Sequence, residues 1–261
     1  VSRAPAVRRA WVAYRTLVRK EVRRFLRIWA QTLLPPVITM TLYLLIFGNL
    51  IGPRIGEMGG HRYMDYIAPG IIMMAVITNS YSNVVSSFFS ARFQRHVEEL
   101  VVSPTPNALI LLGYVTGGVA RGLAVGAAVT AVAMFFTELR VHHAGVMIAV
   151  VALTSMLFSL AGFINAIYAR NFDDVSIIPT FVLTPLTYLG GVFYSINLLP
   201  ELWRHLSLLN PILYMVNTFR YGMLGVSDIA VGRAFAIIAV FIAVLFAVCL
   251  ELLRRGVGIR S

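Results

Sequence analysis

Six stretches of this chain, residues 28–53, 66–91, 100–137, 144–169, 175–200 and 234–250, hold one charged side chain between them, Arg121. A helix that crosses the ~30 Å hydrocarbon core of a bilayer needs about 20 mostly apolar residues. Within lipid every backbone N–H and C=O must be satisfied by the protein itself, so such runs must be helical. A β-barrel would instead show alternating segments of about ten residues, and these runs are apolar on all sides and too long. The reading is an all-α polytopic membrane protein with six transmembrane helices. They are expected at about 32–52, 67–90, 107–136, 145–168, 175–196 and 232–251, inside a membrane domain over 28–255. An amphipathic helix in 1–30 precedes it and a tail, 256–261, follows.

Composition agrees: 59% of residues are apolar and 13% charged, where a soluble domain carries about 25% charge. The net charge of +11 is explained by where it sits. With the N-terminus inside, the inner segments hold fifteen Lys and Arg, nine of them in the first thirty residues and the others Arg92, Arg95, Arg170, Arg254, Arg255 and Arg260. The outer segments hold six: Arg54, Arg62, Arg140, Arg204, Arg220 and Arg233. This asymmetry puts both termini in the cytoplasm and accounts for the basic charge without nucleic acid. No cleavable signal peptide is read in the first thirty residues. The single cysteine, Cys249, lies in an apolar run and fits a buried packing role.

Two segments read as amphipathic helices beside the membrane. In the first, Trp11, Tyr14, Val18, Val22, Phe25 and Trp29 form a stripe opposite Arg19, Lys20, Arg23, Arg24 and Arg27. That pattern suits a helix lying in the cytoplasmic headgroup region, its basic face (Lys20, Arg23, Arg24, Arg27) open to lipid or a partner. In the second, residues 91–106, Phe93, Val97, Leu100 and Val101 share one helix face among Arg92, Arg95, Glu98 and Glu99, and Pro104 and Pro106 end the helix. Shorter signals are Pro35 and Pro36 at the start of the first span, Asp65 as a cap for the second, and Asp173 or Asp174 as a cap for the fifth.

Several long stretches together carry a resemblance. They are RIWAQTLLPPVITMTLYLLIFGNLIG (27–52), FFSARFQRHVEELVVSPTP (88–106), GGVARG (117–122), NFDDVSIIPTFVLTPLTYLGGVFYSINLLPELW (171–203) and LNPILYMVNTFRYGMLG (209–225). In order and extent the chain resembles the ABC type-2 transporter permeases, within them the YadH-like bacterial inner-membrane permeases. The resemblance implies that the N-terminal helix is a connecting helix and that the segment from Arg92 to Ser103 is a coupling helix docking on an ATPase. It assigns that contact to Arg92, Phe93, Gln94, Arg95, Glu98, Glu99, Leu100 and Ser103. It implies short helices over 197–230 that dip back from the outer face, broken at the Leu209–Asn210–Pro211 sequence. Asn217 and Thr218 stand where many relatives have an acidic residue before the arginine, here Arg220.

The resemblance also implies that the second and fifth spans border the translocation path. Polar residues there are Asn79, Tyr81 and Asn83, and Thr184, Thr187 and Tyr188. Arg121, at membrane depth, must face protein or water; contact with an anionic substrate, with a second protomer, or with a partner inside the bundle all satisfy that. Glycines at 113, 117, 118, 122 and 126 permit close helix packing.

ATP hydrolysis needs a phosphate-cradling GxxxxGK[ST] loop, and the chain's one lysine, Lys20, has no such context. The function read here is therefore the permease subunit of an ATP-driven ABC exporter in a bacterial inner membrane. It binds no cofactor itself, and ATP and Mg serve a partner ATPase present in two copies. Six helices suggest a homodimer, the commonest closed symmetry. The alternative is an ATP-independent six-helix carrier or channel, for which a TVGYG-like filter or two similar halves are absent from the sequence.

Overall fold

The computed structural model describes residues 4–97, 100, 103, 105–137 and 141–258, with side chains from residue 8 onward. The fold is almost wholly helical. Helix α1 (Ala4–Arg27) is followed after a break at Ile28 by α2 (Trp29–Tyr43), a π-helical stretch (Leu44–Ile51) and a final turn, α3 (Gly52–Ile55). A two-residue hairpin pairs β1 (Glu57–Met58) with β2 (His61–Arg62), antiparallel. Then come α4 (Tyr63–Phe93), α5 (Asn107–Phe136) and α6 (Ala144–Tyr168). Helix α7 (Phe172–Ile178) passes through a π turn (Pro179–Leu183) into α8 (Thr184–Tyr188). A 3-10 turn (Ile196–Leu198), α9 (Glu201–Leu208), α10 (Pro211–Leu224) and α11 (Val231–Arg255) complete the chain.

Among the described residues five helices are long and apolar enough to cross a membrane: Trp29–Ile55, Tyr63–Phe93, Asn107–Phe136, Ala144–Tyr168 and Val231–Arg255. That is one fewer than expected. The difference lies at the fifth span, read as 175–196. There α7, the π turn and α8 make a helical run over 172–188, about 26 Å long at 1.5 Å per residue. Pro179 opens the π turn, Pro185 follows in α8, and the chain then turns at Gly190–Gly191, where Gly191 adopts φ +70°.

Helix α4 is the axis of the bundle. It is buried along most of its length and packs on α5, α6 and α10, with α6 also meeting α10 and α11. Its core neighbours are large: Phe88 meets Phe163 of α6 at a centroid distance of 4.1 Å and Tyr114 of α5 at 5.3 Å. The close approach of α4 and α6 depends on Gly162, where an added Cβ would lie 2.6 Å from the Tyr81 carbonyl oxygen. Other helices leave whole rows of apolar side chains exposed, among them Leu34, Ile38, Leu42, Leu45, Ile46 and Leu50 along 29–55, and Val240, Phe241, Val244 and Val248 on α11. In water such rows would aggregate; against acyl chains they are the expected surface.

Local expectations meet mixed outcomes. Pro35 and Pro36 do not start a helix; they lie inside α2, which begins at Trp29. Asp65 lies in the first turn of α4 and pairs with Arg62 at 3.0 Å instead of capping. The cap of α7 is Asn171, whose side chain accepts from the Asp174 amide at 2.7 Å, while the Asp174 carboxylate takes the Arg170 amide at 2.9 Å. The break at 209–211 is present: Asn210 caps α10 by accepting from Ile212 N at 3.0 Å, and Pro211 occupies the first helical position.

At this end of the bundle Arg220 of α10 is enclosed, with 1% of its surface exposed. Among the described residues it has no direct carboxylate partner. Nε and Nη2 donate to the carbonyls of Tyr66 (3.3 Å) and Gly191 (2.8 Å), and the guanidinium lies 4.0 Å from the centre of the Tyr66 ring. The Tyr66 hydroxyl in turn donates to Asp228 at 3.4 Å. A cation over an aromatic face out of water contributes about 2 kcal/mol, so Arg220 ties α10 to α4 and to the turn after α8.

Gly162→Val is expected to lower the stability of the purified protein in neutral detergent by about 1–3 kcal/mol, since the clash is with backbone. Gly145→Ala, with open space around the added methyl, is expected to leave the thermal midpoint unchanged.

Candidate functional site

A polar ladder on α4

The sequence places Asn79, Asn83 and Ser87 at four-residue intervals, hence on one face of α4. Three elements use that face. Arg121 of α5 donates from Nη2 to Asn79 Oδ1 at 2.9 Å. Arg24 of α1 donates from Nη2 to Asn83 Oδ1 at 2.8 Å and to its backbone carbonyl at 2.9 Å. Ser87 Oγ donates to Glu21 Oε1 at 2.8 Å, and Glu21 Oε2 lies 3.4 Å from Arg24 Nη2. Glu21 has no exposed surface, whereas the Arg24 side chain keeps 30% of its own.

Helix α1 is therefore not simply laid on a surface with its basic face outward. Leu17, Glu21 and Phe25 point into the protein. Gly113 and Gly117 of α5 make the room: a Cβ at Gly117 would come within 2.6 Å of Glu21 Cβ. Tyr14 adds a hydrogen bond to Thr116 at 2.9 Å. Lys20, Arg23 and Arg27 stay exposed, but Arg24, read with them as part of the open face, turns inward to Asn83. Trp11 and Trp29, read as part of the apolar stripe, are both exposed.

Glu21 was not singled out from the sequence, although the signal was present. It stands between Leu17 and Phe25 at four-residue spacing, matched by Gly113 and Gly117 on α5. An acid in an inward row signals a buried partner, and Arg24 is one turn away.

The end of α4 and the following loop

At the end of α4, Arg92 is not free for an outside partner. Its guanidinium donates to the last carbonyls of α6: Nη1 to Ala166 at 2.8 Å and also to Ile167, and Nη2 to Ala169. This caps α6 with a cation at the negative end of its dipole. Past Phe93 the helix does not continue: Gln94 and Arg95 turn the chain, Arg95 with φ +62°. Phe93, Gln94, Arg95 and His96 are exposed, while Val97 is buried and Leu100 packs against the core. Phe93, 64% exposed, meets Phe172 at 5.5 Å and so touches the start of α7. Ser103 Oγ donates to the Leu100 carbonyl at 2.6 Å. Glu98 and Glu99, assigned to the same contact, lie outside the described residues.

Residues the fold keeps apart

The residues read as lining a path do not form one site within a protomer. Asn79, Asn83 and Arg121 gather around the middle of α4 and α5, while Tyr81 is buried on the opposite face of α4 by its spacing. Thr184, Thr187 and Tyr188 lie in α8, near the opposite end. Thr187 is buried and donates to the Leu183 carbonyl, Thr184 donates to Pro179, and Tyr188 stacks on Phe193 at 5.9 Å. Phe193 also contacts Tyr43 and Phe47 of the first long helix. From Tyr63, at that end, to Asn79 is about 24 Å along α4. Among the described residues no three His, Cys, Asp or Glu side chains gather as a metal site requires.

Five long apolar helices with α4 buried among them, and an amphipathic helix pinned to α4 by hydrogen bonds from charged side chains, are the parts of a multi-pass membrane protein. The family profile of the ABC-2 type transporter matches residues 12–224, and the chain belongs to that family of membrane transport permeases. It is 57% identical over 251 residues to the inner membrane transport permease YadH of Escherichia coli (strain K12), covering 96% of this chain and 98% of that protein. It is also 25% identical over 218 residues to nodulation protein J of Rhizobium meliloti (strain 1021), with 82% of each chain covered.

A double-mutant cycle on Arg24→Gln of α1 and Asn83→Ala of α4, read by thermal unfolding in neutral detergent, is expected to give a coupling energy of about 1–3 kcal/mol. Arg24 is partly exposed, which keeps the figure below that of a fully enclosed pair. Additive effects would show that the pair does not hold α1.

Proposed function

We propose that this chain is the permease subunit of an ATP-driven exporter in a bacterial inner membrane, with both termini cytoplasmic. Two copies form the translocation path about a two-fold axis, and two copies of a separate ATPase use ATP and Mg on the cytoplasmic side. The distribution of Lys and Arg supports the orientation. The YadH likeness over nearly the whole of both chains supports the membrane and the permease role. Helices α9 and α10 are the elements that dip back from the outer face, and the run 172–188 completes a set of six spans.

The observation that carries the coupling role is the path from the exposed loop into the bundle. Phe93, Gln94 and Arg95 sit at the end of one unbroken 31-residue helix, α4, to which α1 is pinned through Glu21 and Arg24. Force applied to the loop by an ATPase acts on the axis of the bundle. Arg92 serves this as an internal brace, and Glu98 and Glu99 remain the proposed contacts for a basic docking surface. Lys20, Arg23 and Arg27 hold α1 to the anionic leaflet.

The test is reconstitution with an ATPase encoded beside this chain. The wild-type protein is expected to co-purify with it and to raise its ATPase rate. Glu98→Lys and Glu99→Lys are expected to weaken association by about tenfold or more, the scale of reversing a charge at a docking contact. Normal association and transport with both substitutions would reject the docking role. Uptake into vesicles from the permease alone, without ATP, would instead favour a carrier.

A further inference from the structure

We propose that Arg24 and Arg121, with Asn83 and Tyr114, form a binding site for a phosphate group at the level of the lipid headgroups. The site is occupied by a phosphodiester headgroup of the leaflet next to the 94–106 loop. The inference stands on the imbalance of charge and donors in the ladder on α4. Two guanidiniums are brought within one helical turn, about 6 Å along α4, by Asn79 and Asn83. Among the described residues Glu21 is the one carboxylate paired with them, so the group carries an excess positive charge.

The donors also exceed the acceptors. Among the described residues each guanidinium uses only Nη2: Arg24 on Asn83 and Glu21, Arg121 on Asn79. The Nε of both arginines, Asn83 Nδ2 and the Tyr114 hydroxyl are buried with no hydrogen-bond partner among the described residues, against one such acceptor in the cluster, Glu21 Oε2, which lies 3.4 Å from Arg24 Nη2. Asn83 and Tyr114 are themselves fully buried. The Asn83 amide is oriented by Arg24, whose Nη2 takes Oδ1 and leaves Nδ2 on the other side. Tyr114, Gly117, Gly118 and Arg121 share one face of α5 by their spacing, the face that meets α1 and α4. Excess donors around excess positive charge fit an anion with several oxygens; a phosphate offers more acceptors than a carboxylate and suits two guanidinium groups.

Depth points to the headgroup. Helix α5 has 30 residues and is about 45 Å long, against a hydrocarbon core of ~30 Å. With that excess at the loop end, where amphipathic α1 packs, Asn83 lies close to the core boundary and Arg121 roughly 6 Å below it. Arg24 and Arg121 both keep part of their surface accessible there. A lipid phosphate reaches this level without leaving its leaflet.

The experiment uses the full-length chain in a neutral maltoside detergent. Thermal midpoints are followed while adding phosphatidylglycerol, diacylglycerol or sodium phosphate. Phosphatidylglycerol is expected to raise the midpoint saturably and diacylglycerol is not. Arg121→Gln is expected to raise the half-saturating lipid concentration by about tenfold, the scale of one charge-assisted hydrogen bond. Arg121→Lys is expected to recover part of that loss, and Arg254→Gln, on an exposed arginine, to behave as wild type. Arg24→Gln is a second variant, with Arg121→Gln carrying the test if loss of the Glu21 pair prevents folding. Saturation by sodium phosphate alone, in competition with the lipid, would keep the anion site and assign it to soluble phosphate. Equal responses to phosphatidylglycerol and diacylglycerol, or an Arg121→Gln response equal to wild type, would overturn the proposal. No ATPase takes part, so failure here is separate from failure of the coupling role.

Discussion

A polar group below the headgroups of a bilayer has no water to fall back on, and the arrangement of this bundle follows from how α4 answers that constraint. Its side chains at 79, 83 and 87 supply the amides and hydroxyl that receive Arg121, Arg24 and Glu21. Its carbonyl at Tyr66 receives Arg220. Its last turn sends Arg92 to the end of α6. Burying an unpaired charge is far more costly than burying a paired one, so these contacts fix the positions of α1, α5, α6 and α10 against the same axis. Apolar packing then fills the space between, as Phe88, Tyr114 and Phe163 do.

The helical membrane architecture was legible in the sequence because charge-free length is a strong signal with few competing explanations. The shortfall came where length alone misleads. The run 175–200 has no charge, yet Pro179, Pro185 and the Gly190–Gly191 pair shorten its helix to 172–188 and turn the rest into an irregular segment. Prolines cut the other way at 35 and 36, where the helix continues around them. At the site, Asn79, Asn83 and Arg121 were legible as unusual residues at depth. Their partners were not, since pairing across helices depends on rotations about helix axes that periodicity does not fix. Arg24 illustrates this: its position on α1 is compatible with the basic face or with the edge of the buried row, and contact with Asn83 decides between them.

Membership in the ABC-2 type transporter family gives this ladder a mechanical setting. Glu21 and Arg24 join the amphipathic helix to the axis of the bundle, so α1 cannot slide independently of α4 without breaking the charged hydrogen bonds to Asn83 and Ser87. Gly113 and Gly117 of α5 let α1 approach closely enough for those contacts. The same small residues that sequence reading assigns to packing are thus what allows a charge to be buried there at all.

The contrast between α4 and its flanks has one further consequence. Helix α4 is continuous α-helix from Tyr63 to Phe93, with Pro69 inside it, and Arg92 braces its end to α6. The first long helix and the run 172–188 each contain a π-helical stretch, at Leu44–Ile51 and Pro179–Leu183, where the hydrogen-bond ladder is out of its usual register and softer to bending. Bending of the bundle is therefore expected to concentrate in those two joints, which sit on sides of the bundle that expose apolar surface.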